Sequence, residues 1–259
     1  MEIATISYPA AVLGGAVIGL LLSVFGGGGS VLATPLLLYI VGVRDPHVAI
    51  GTSAAAVAVN AAVGLLVQAR AGRVKWPCAL VFGGAGLTGS LVGAHFAKQI
   101  DGSQLLLWFA VAMAFVGGSM LIPRKSQGDA GVRLTTALTL KIAPAGAVTG
   151  LAAGFFGIGG GFLIVPGLMA ATGMTLANAA ASSLVSVVLF GAATSASYAA
   201  SGLVDWRVFM ALVGGGAIGS MIAIPVGRLL AERTTAARTA FSLMVLATAG
   251  YVAWRAMSS

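Results

Sequence analysis

Two glycine-rich runs are the first candidates for chemistry, and they would do it with backbone rather than side chains. Phe25-Gly26-Gly27-Gly28-Gly29-Ser30 is followed by Pro35, and Phe156-Gly157-Ile158-Gly159-Gly160-Gly161 is followed by Pro166. Glycine and proline together break helices, so Pro35 and Pro166 mark breaks. A helix that restarts after a break opens N–H groups at its positive end, and such ends attract anions. Two tips of this kind, converging, would form one anion site from the amides of Gly27, Gly28, Gly29, Ser30, Gly159, Gly160 and Gly161. The competing reading is close helix packing or a kink, and it suffices for isolated glycines such as Gly14 and Gly191.

Hydroxyls are the second group. Thr52-Ser53 and Ser182-Ser183 begin the apolar segments that follow the two runs. Ser53 and Asn60 are seven residues apart, which puts them on one helical face. Bonding to the own helix or to a neighbouring helix is the alternative role for all of them. Asn178, Ser186 and Tyr198 are weaker candidates of the same kind.

Charges are informative by their positions. Glu2, Asp45, Asp101, Asp129, Asp205 and Glu232 fall in termini, loops or segment ends, so no carboxylate lies deep in an apolar stretch. Buried carboxylates are the usual proton relays and cation sites of membranes, which disfavours a carboxylate-driven antiporter and a metal-ion transporter. His47 and His95 lie near segment ends, as interfacial residues do, and no cluster has metal-ligand spacing. Arg70 or Arg73 could line a vestibule that gathers anions. No Walker motif and no base beside a nucleophile is present, so no catalytic residue, cofactor or metal is expected.

The elements that must position these groups follow from composition. Of 259 residues, 59% are hydrophobic and 8% charged, against roughly 25% charged in a soluble domain. Mean hydropathy is +1.03. One cysteine, Cys78, makes no internal disulfide, and the glycines have no three-residue period. The chain therefore reads as an all-α polytopic membrane protein in a lipid bilayer. The net charge of +8 is assigned to basic loops between spans rather than to nucleic acid. The first apolar segment reads as a retained span and not a signal peptide.

Apolar segments run from Pro9 to Val43, His47 to Ala69, Trp76 to Ala97, Leu105 to Ile122, Lys141 to Met174, Thr175 to Ser201, Trp206 to Leu229 and Ala236 to Trp254. The first would be about 50 Å as one straight helix. It and the fifth hold the glycine runs, and each reads as two helical pieces joined by a break. They also expose a repeat. Gly15-Ala16-Val17-Ile18-Gly19-Leu20 matches Gly146-Ala147-Val148-Thr149-Gly150-Leu151, Thr52-Ser53 matches Ser182-Ser183, Gly72 and Trp76 match Gly202 and Trp206, and Gly89-Ser90 matches Gly219-Ser220. The expected organisation is a first repeat over 1–122, a polar cytoplasmic linker over 123–140 and a second repeat over 141–259.

If each long segment crosses once, the halves are parallel and nine of the fourteen basic residues face the cytoplasm. If each enters and returns as a hairpin, the halves are inverted and ten of the fourteen do, including Arg228, Arg233 and Arg238. The inverted arrangement is favoured: two homologous halves, each a broken glycine-rich hairpin plus three transmembrane helices, with both termini outside. Broken helices in inverted repeats commonly build transporter sites.

The paired motifs Gly26 to Pro35 and Gly157 to Pro166, each followed by Thr-Ser or Ser-Ser at the next helix, resemble the TauE/SafE family of sulfite exporters, the TSUP family. The resemblance covers nearly the whole chain. The second motif, with Ile158 after its first glycine, follows the family pattern more closely than the first. The resemblance implies a multi-pass transporter of the bacterial inner membrane whose substrate is a small sulfur-containing anion: sulfite, thiosulfate or an organosulfonate such as sulfoacetate. The anion would be held at the midplane by both tips and by Thr52, Ser53, Asn60, Ser182 and Ser183. A passive anion channel is the alternative, and a membrane subunit or enzyme of sulfur metabolism a more distant one. Assembly as a homo-oligomer is left open.

Overall fold

A computed structural model describes residues 7–121, 128, 129, 131, 132, 134–156, 161–231 and 234–258. Among the described residues ten α-helices follow one another: α1 Tyr8–Phe25, α2 Ala33–Leu36, α3 Pro46–Arg70, α4 Trp76–Ala97, α5 Gly102–Leu121, α6 Thr136–Phe156, α7 Gly161–Thr172, α8 Leu176–Ala199, α9 Trp206–Ala231 and α10 Thr234–Ser258. Seven stretches among the described residues are long and apolar enough to cross a bilayer. The helix starts have local causes. Ser7 caps α1 through its Oγ, with Pro9 in the first turn. Asp45 caps α3, its Oδ1 accepting the N–H groups of His47 and Val48, and Pro46 supplies a preset φ. α6 begins at Thr136, inside the segment expected to be linker.

The first glycine run does not simply open the chain. Gly26 has φ +63°, a left-handed value that favours glycine, and it turns the backbone at the end of α1. Gly26–Leu32 then forms a 3₁₀ helix, Ala33–Leu36 one α turn, and Leu37–Val41 a π turn. This composite arm runs back along α1. A Cβ on Gly29 would overlap Leu21 and Leu22, and one on Gly14 would overlap Leu36. The arm closes where α1 began, with Ser7 N–H donating to Val41 O at 3.1 Å. The second long segment closes likewise: Asp129 N–H, ahead of α6, donates to the Gly173 carbonyl just past α7, at 2.9 Å.

Pro166 requires a correction. It lies inside α7, which runs through it without a break, at the loss of one helical hydrogen bond. In the second half α6 ends at Phe156 and α7 begins at Gly161, and residues 157–160 between them lie outside the described residues. Pro35 does sit at an irregular point, in the single α turn between the 3₁₀ and π segments.

Packing exchanges elements between the halves. Gly15 and Gly19 of α1 lie against the Leu212 and Gly216 carbonyls of α9, while Gly215 and Gly219 lie against Val12 and Ala16. The matching pair is α6 with α4. Gly146, Gly150 and Gly154 lie against Phe82, Gly86 and Ser90, and Gly89 and Gly93 against Ala147 and Leu151. Both pairs run parallel, backbone on backbone, as small residues at four-residue spacing allow. α3 and α8 cross the centre antiparallel, with Gly51 against Tyr198, Ala58 against Gly191 and Gly64 against Leu184. α5 pairs with α10, where Ser242 Oγ donates to Gly117 O. Residues of this last pair, including Phe109 and Met113, pack with Phe25, Val31 and Leu32 of the first hairpin and with Phe156 and Leu163 of the second.

Candidate functional site

The two hairpins meet. A Cβ on Gly161 would fall on the carbonyl of Gly27, and a Cβ on Gly27 would lie 2.7 Å from the Gly161 Cα and 2.6 Å from Val187 Cγ2. Glycine at both positions lets one backbone cross the other in direct contact. Gly27 N–H donates to Ser183 Oγ at 3.0 Å, and Ser183 Oγ in turn donates to Ala180 O at 2.7 Å. Ser30 Oγ donates back to Gly27 O at 2.8 Å. On the α3 side, Ser53 Oγ lies 2.8 Å from Thr34 Oγ1 and 3.0 Å from Ile50 O. Gly27, Gly28, Gly29, Ser30, Thr34, Ser53, Gly161 and Ser183 are all buried.

The structure therefore brings together Gly27, Gly161 and Ser183, with Ser30 joined to them through Gly27. Gly28 and Gly29 lie inside the 3₁₀ run, whose own hydrogen bonding engages amides expected to be open. Gly161 is the first described residue of α7. Gly159 and Gly160 lie outside the described residues.

Thr52 and Ser182 face elsewhere. Thr52 Oγ1 accepts Asp205 N–H and Ser182 Oγ accepts Lys75 N–H, both at 2.9 Å. Asp205 and Lys75 directly precede α9 and α4, so each hydroxyl serves the start of a helix in the opposite half. Thr52→Val and Ser182→Ala each leave a backbone donor short of its partner. Each is expected to lower stability by about 1–2 kcal/mol, read as a lower melting temperature, with the double variant close to additive. Unchanged melting in both would mean that these bonds do not support the fold.

Asn60 is 1% exposed, and its Nδ2 reaches Leu212 O at a long 3.5 Å. Its Oδ1 has no partner, and neither has the buried Ser186 Oγ. A buried acceptor or hydroxyl left unmatched costs about 1–3 kcal/mol, so both positions favour a bound water or ligand group. Thr34 was missed by the sequence reading. Its signal was a lone hydroxyl in an apolar run, one residue before Pro35, and its pairing with Ser53 spans 19 positions.

The buried residues described that carry a polar side-chain group are serines, threonines, Asn60, Tyr198 and Cys78, with no carboxylate, ammonium, guanidinium or imidazole among them. Among the described residues no group of His, Cys, Asp or Glu could hold a metal ion. The surroundings of the crossing are thus neutral hydroxyl and amide groups, and the hydroxyl protons of Ser30, Ser53 and Ser183 are donated to backbone carbonyls.

The family model described as "Sulfite exporter TauE/SafE" matches residues 11–252. The chain belongs to the TauE/SafE family. A probable membrane transporter protein of Xylella fastidiosa (strain 9a5c) is 45% identical over 250 residues, covering 95% of this chain and 94% of the relative. The probable membrane transporter protein YunE of Bacillus subtilis (strain 168) is 28% identical, covering 85% of this chain and 88% of the relative. A probable membrane transporter protein of Haemophilus influenzae is 25% identical over 73% of this chain and 72% of its own length. No solved structure shows significant similarity. As a TauE/SafE member with seven candidate spans, this is a multi-pass membrane transporter, and the Xylella relative is consistent with the bacterial inner membrane.

Proposed function

We propose that this TauE/SafE transporter carries a small sulfur-containing anion, such as sulfite, thiosulfate or an organosulfonate like sulfoacetate, by alternating access around the crossing of its two hairpins. The observation that carries the reading is the backbone contact of Gly27 with Gly161, with Ser183 bonded to the first tip. The N–H of Gly161 and those of Gly159 and Gly160, which precede it in the chain, would hold the anion's oxygens, and Gly27, Gly28 and Gly29 would shape the opposing wall. Ser30, Ser53, Ser183 and Asn60 would add polar contacts, with Thr52 and Ser182 holding the flanking helices in place.

Inverted halves are part of the proposal. Each hairpin ends beside its own beginning, and three helices follow it, α3 to α5 and α8 to α10. Three further crossings leave the second half upside down relative to the first. Arg70, Arg73 and Lys75 then share one side with the linker, the side that the positive-inside rule assigns to the cytoplasm. Exposed Ala71 and Ser201 test this, because they occupy matching loops of the two halves. With Cys78→Ala as background, Ala71→Cys is expected to react with an impermeant maleimide only from the cytoplasmic side, and Ser201→Cys only from the outside. Labelling of both from one side would refute the inversion.

The function itself is tested in proteoliposomes loaded with buffer and exposed to sulfite, sulfoacetate, sulfate or chloride. A saturable flux of at least one sulfur-containing anion, above that of chloride, is expected. Flux of none would defeat the reading. The absence of buried charged groups among the described residues favours a passive anion channel as second reading. Flux at channel rates, indifferent to proton and sodium gradients, would establish it.

A further inference from the structure

A second polar cluster lies at the end of the molecule where α3 begins and α4 and α8 finish. Tyr198 is 0% exposed, packed with Ile50, Ala94, Ala97 and Leu105, yet its hydroxyl has no hydrogen-bond partner. The His47 Nδ1 atom is likewise buried without a partner, and the two rings lie 6.3 Å apart between centroids, tilted by 31°. Gly51 permits this approach, since a Cβ there would lie 2.8 Å from Tyr198 Cβ.

A cation completes the group. Lys98 Nζ stands 5.9 Å from the Tyr198 ring centroid. It donates to Ser197 O at 3.2 Å and Ser201 Oγ at 3.1 Å, which leaves one of its three protons unassigned. Among the described residues no carboxylate pairs with it. The carboxylates at this end are engaged with backbone: Asp45 with the N–H groups of His47 and Val48, Asp101 with that of Ser103, and Asp205 with those of Arg207 and Val208. An ammonium, a phenol and an imidazole, contributed by three helices and each with unused hydrogen-bonding capacity, match a small ligand that is anionic and rich in acceptors. Neither apolar packing nor a cation would satisfy them.

We infer that His47, Tyr198 and Lys98 form a second binding site, for a small oxyanion, at the mouth of the path to the hairpin crossing. Ser53 of the Ser53–Thr34 hydroxyl pair lies six residues further along α3, about 9 Å by helical rise. The choice of sulfite as probe rests on the function proposed above; the existence of the site is read separately from flux.

The test uses the full-length protein in nanodiscs with 13C at the tyrosine ζ-carbon. The chain has four tyrosines, and Tyr198→Phe assigns the signal. Titration with sulfite or sulfate is expected to move the Tyr198 resonance saturably, while chloride moves it less. Lys98→Gln is expected to raise the midpoint about tenfold, the loss of one charge-assisted hydrogen bond, and Lys98→Arg to keep it. A Tyr198 signal that ignores both oxyanions would overturn the inference, as a buried water alone would then be its partner. So would a response to chloride alone, or a midpoint unchanged in Lys98→Gln. If Lys98→Gln does not fold, the wild-type titration decides. Loss of the resonance shift with normal sulfite flux defeats this site and spares the function; the shift without flux does the reverse.

Discussion

Gly161→Val is expected to lower anion flux by about tenfold to a hundredfold while the protein still inserts and folds. A Cβ at this position would occupy the place of the Gly27 carbonyl, so one hairpin must withdraw from the other. Overpacking of this kind costs about 1–3 kcal/mol. The strain acts on the arrangement in which the tips touch, and a shift of that size changes a conformational population by the stated factor. Gly27→Val meets the same crossing from the other side, against Val187 and Gly161, and is expected to behave alike. Flux in proteoliposomes, normalised to protein resolved as a single species by size exclusion, measures the effect. Wild-type flux in Gly161→Val would remove the crossing from the transport path.

Gly150→Val addresses stability instead of flux. Gly150 stands between Gly146 and Gly154 on α6, each facing an α4 backbone carbonyl, so a side chain forces α4 and α6 apart along their length. The loss of close packing is expected to cost about 2–4 kcal/mol, more than one methyl group would. The readout is a melting temperature lower by several degrees. Gly84→Ala is the control. It lies on α4 with no atom within 4 Å of an added Cβ, and alanine favours helix over glycine by about 0.5–1 kcal/mol. Its melting temperature is expected to stay level or rise. Equal destabilisation by both variants would show that the parallel glycine contact is not what the position supports.

The contrast between these two glycines separates roles that look alike in sequence. Gly150 is structural because its opposite is a helix carbonyl in a regular pair. Gly161 serves the crossing because its opposite is the bend of another broken segment. Gly150 lies on α6 and Gly161 on α7, eleven positions apart. The 3.6-residue period reveals the stripe of Gly146, Gly150 and Gly154, but it cannot say what the stripe faces.

Much of the architecture was legible because its causes are local. A chain with 8% charge and long apolar stretches has to satisfy its backbone within helices. Gly26 to Ser30 cannot continue an α-helix cheaply, and the doubled motif is the basis in residue identities for the proposal of two related halves. Hydroxyls in otherwise apolar runs were recognisable as polar groups needing partners. The partners were not recognisable. Gly27 meets Ser183 across 156 positions, Thr52 meets Asp205 across 153, and Ser182 meets Lys75 across 107. The sequence placed all four hydroxyls of Thr52, Ser53, Ser182 and Ser183 in one role. Tertiary structure divides them: Ser53 and Ser183 turn to the hairpins, Thr52 and Ser182 to the helix starts of the opposite half. Neighbours on a helix differ by about 100° in direction, so adjacent hydroxyls face different elements once neighbours are packed around them. Composition determined that this chain is a helical, multi-pass membrane protein. Which backbone meets which was decided only by folding, because a contact between distant segments depends on the packing of every helix that lies between them.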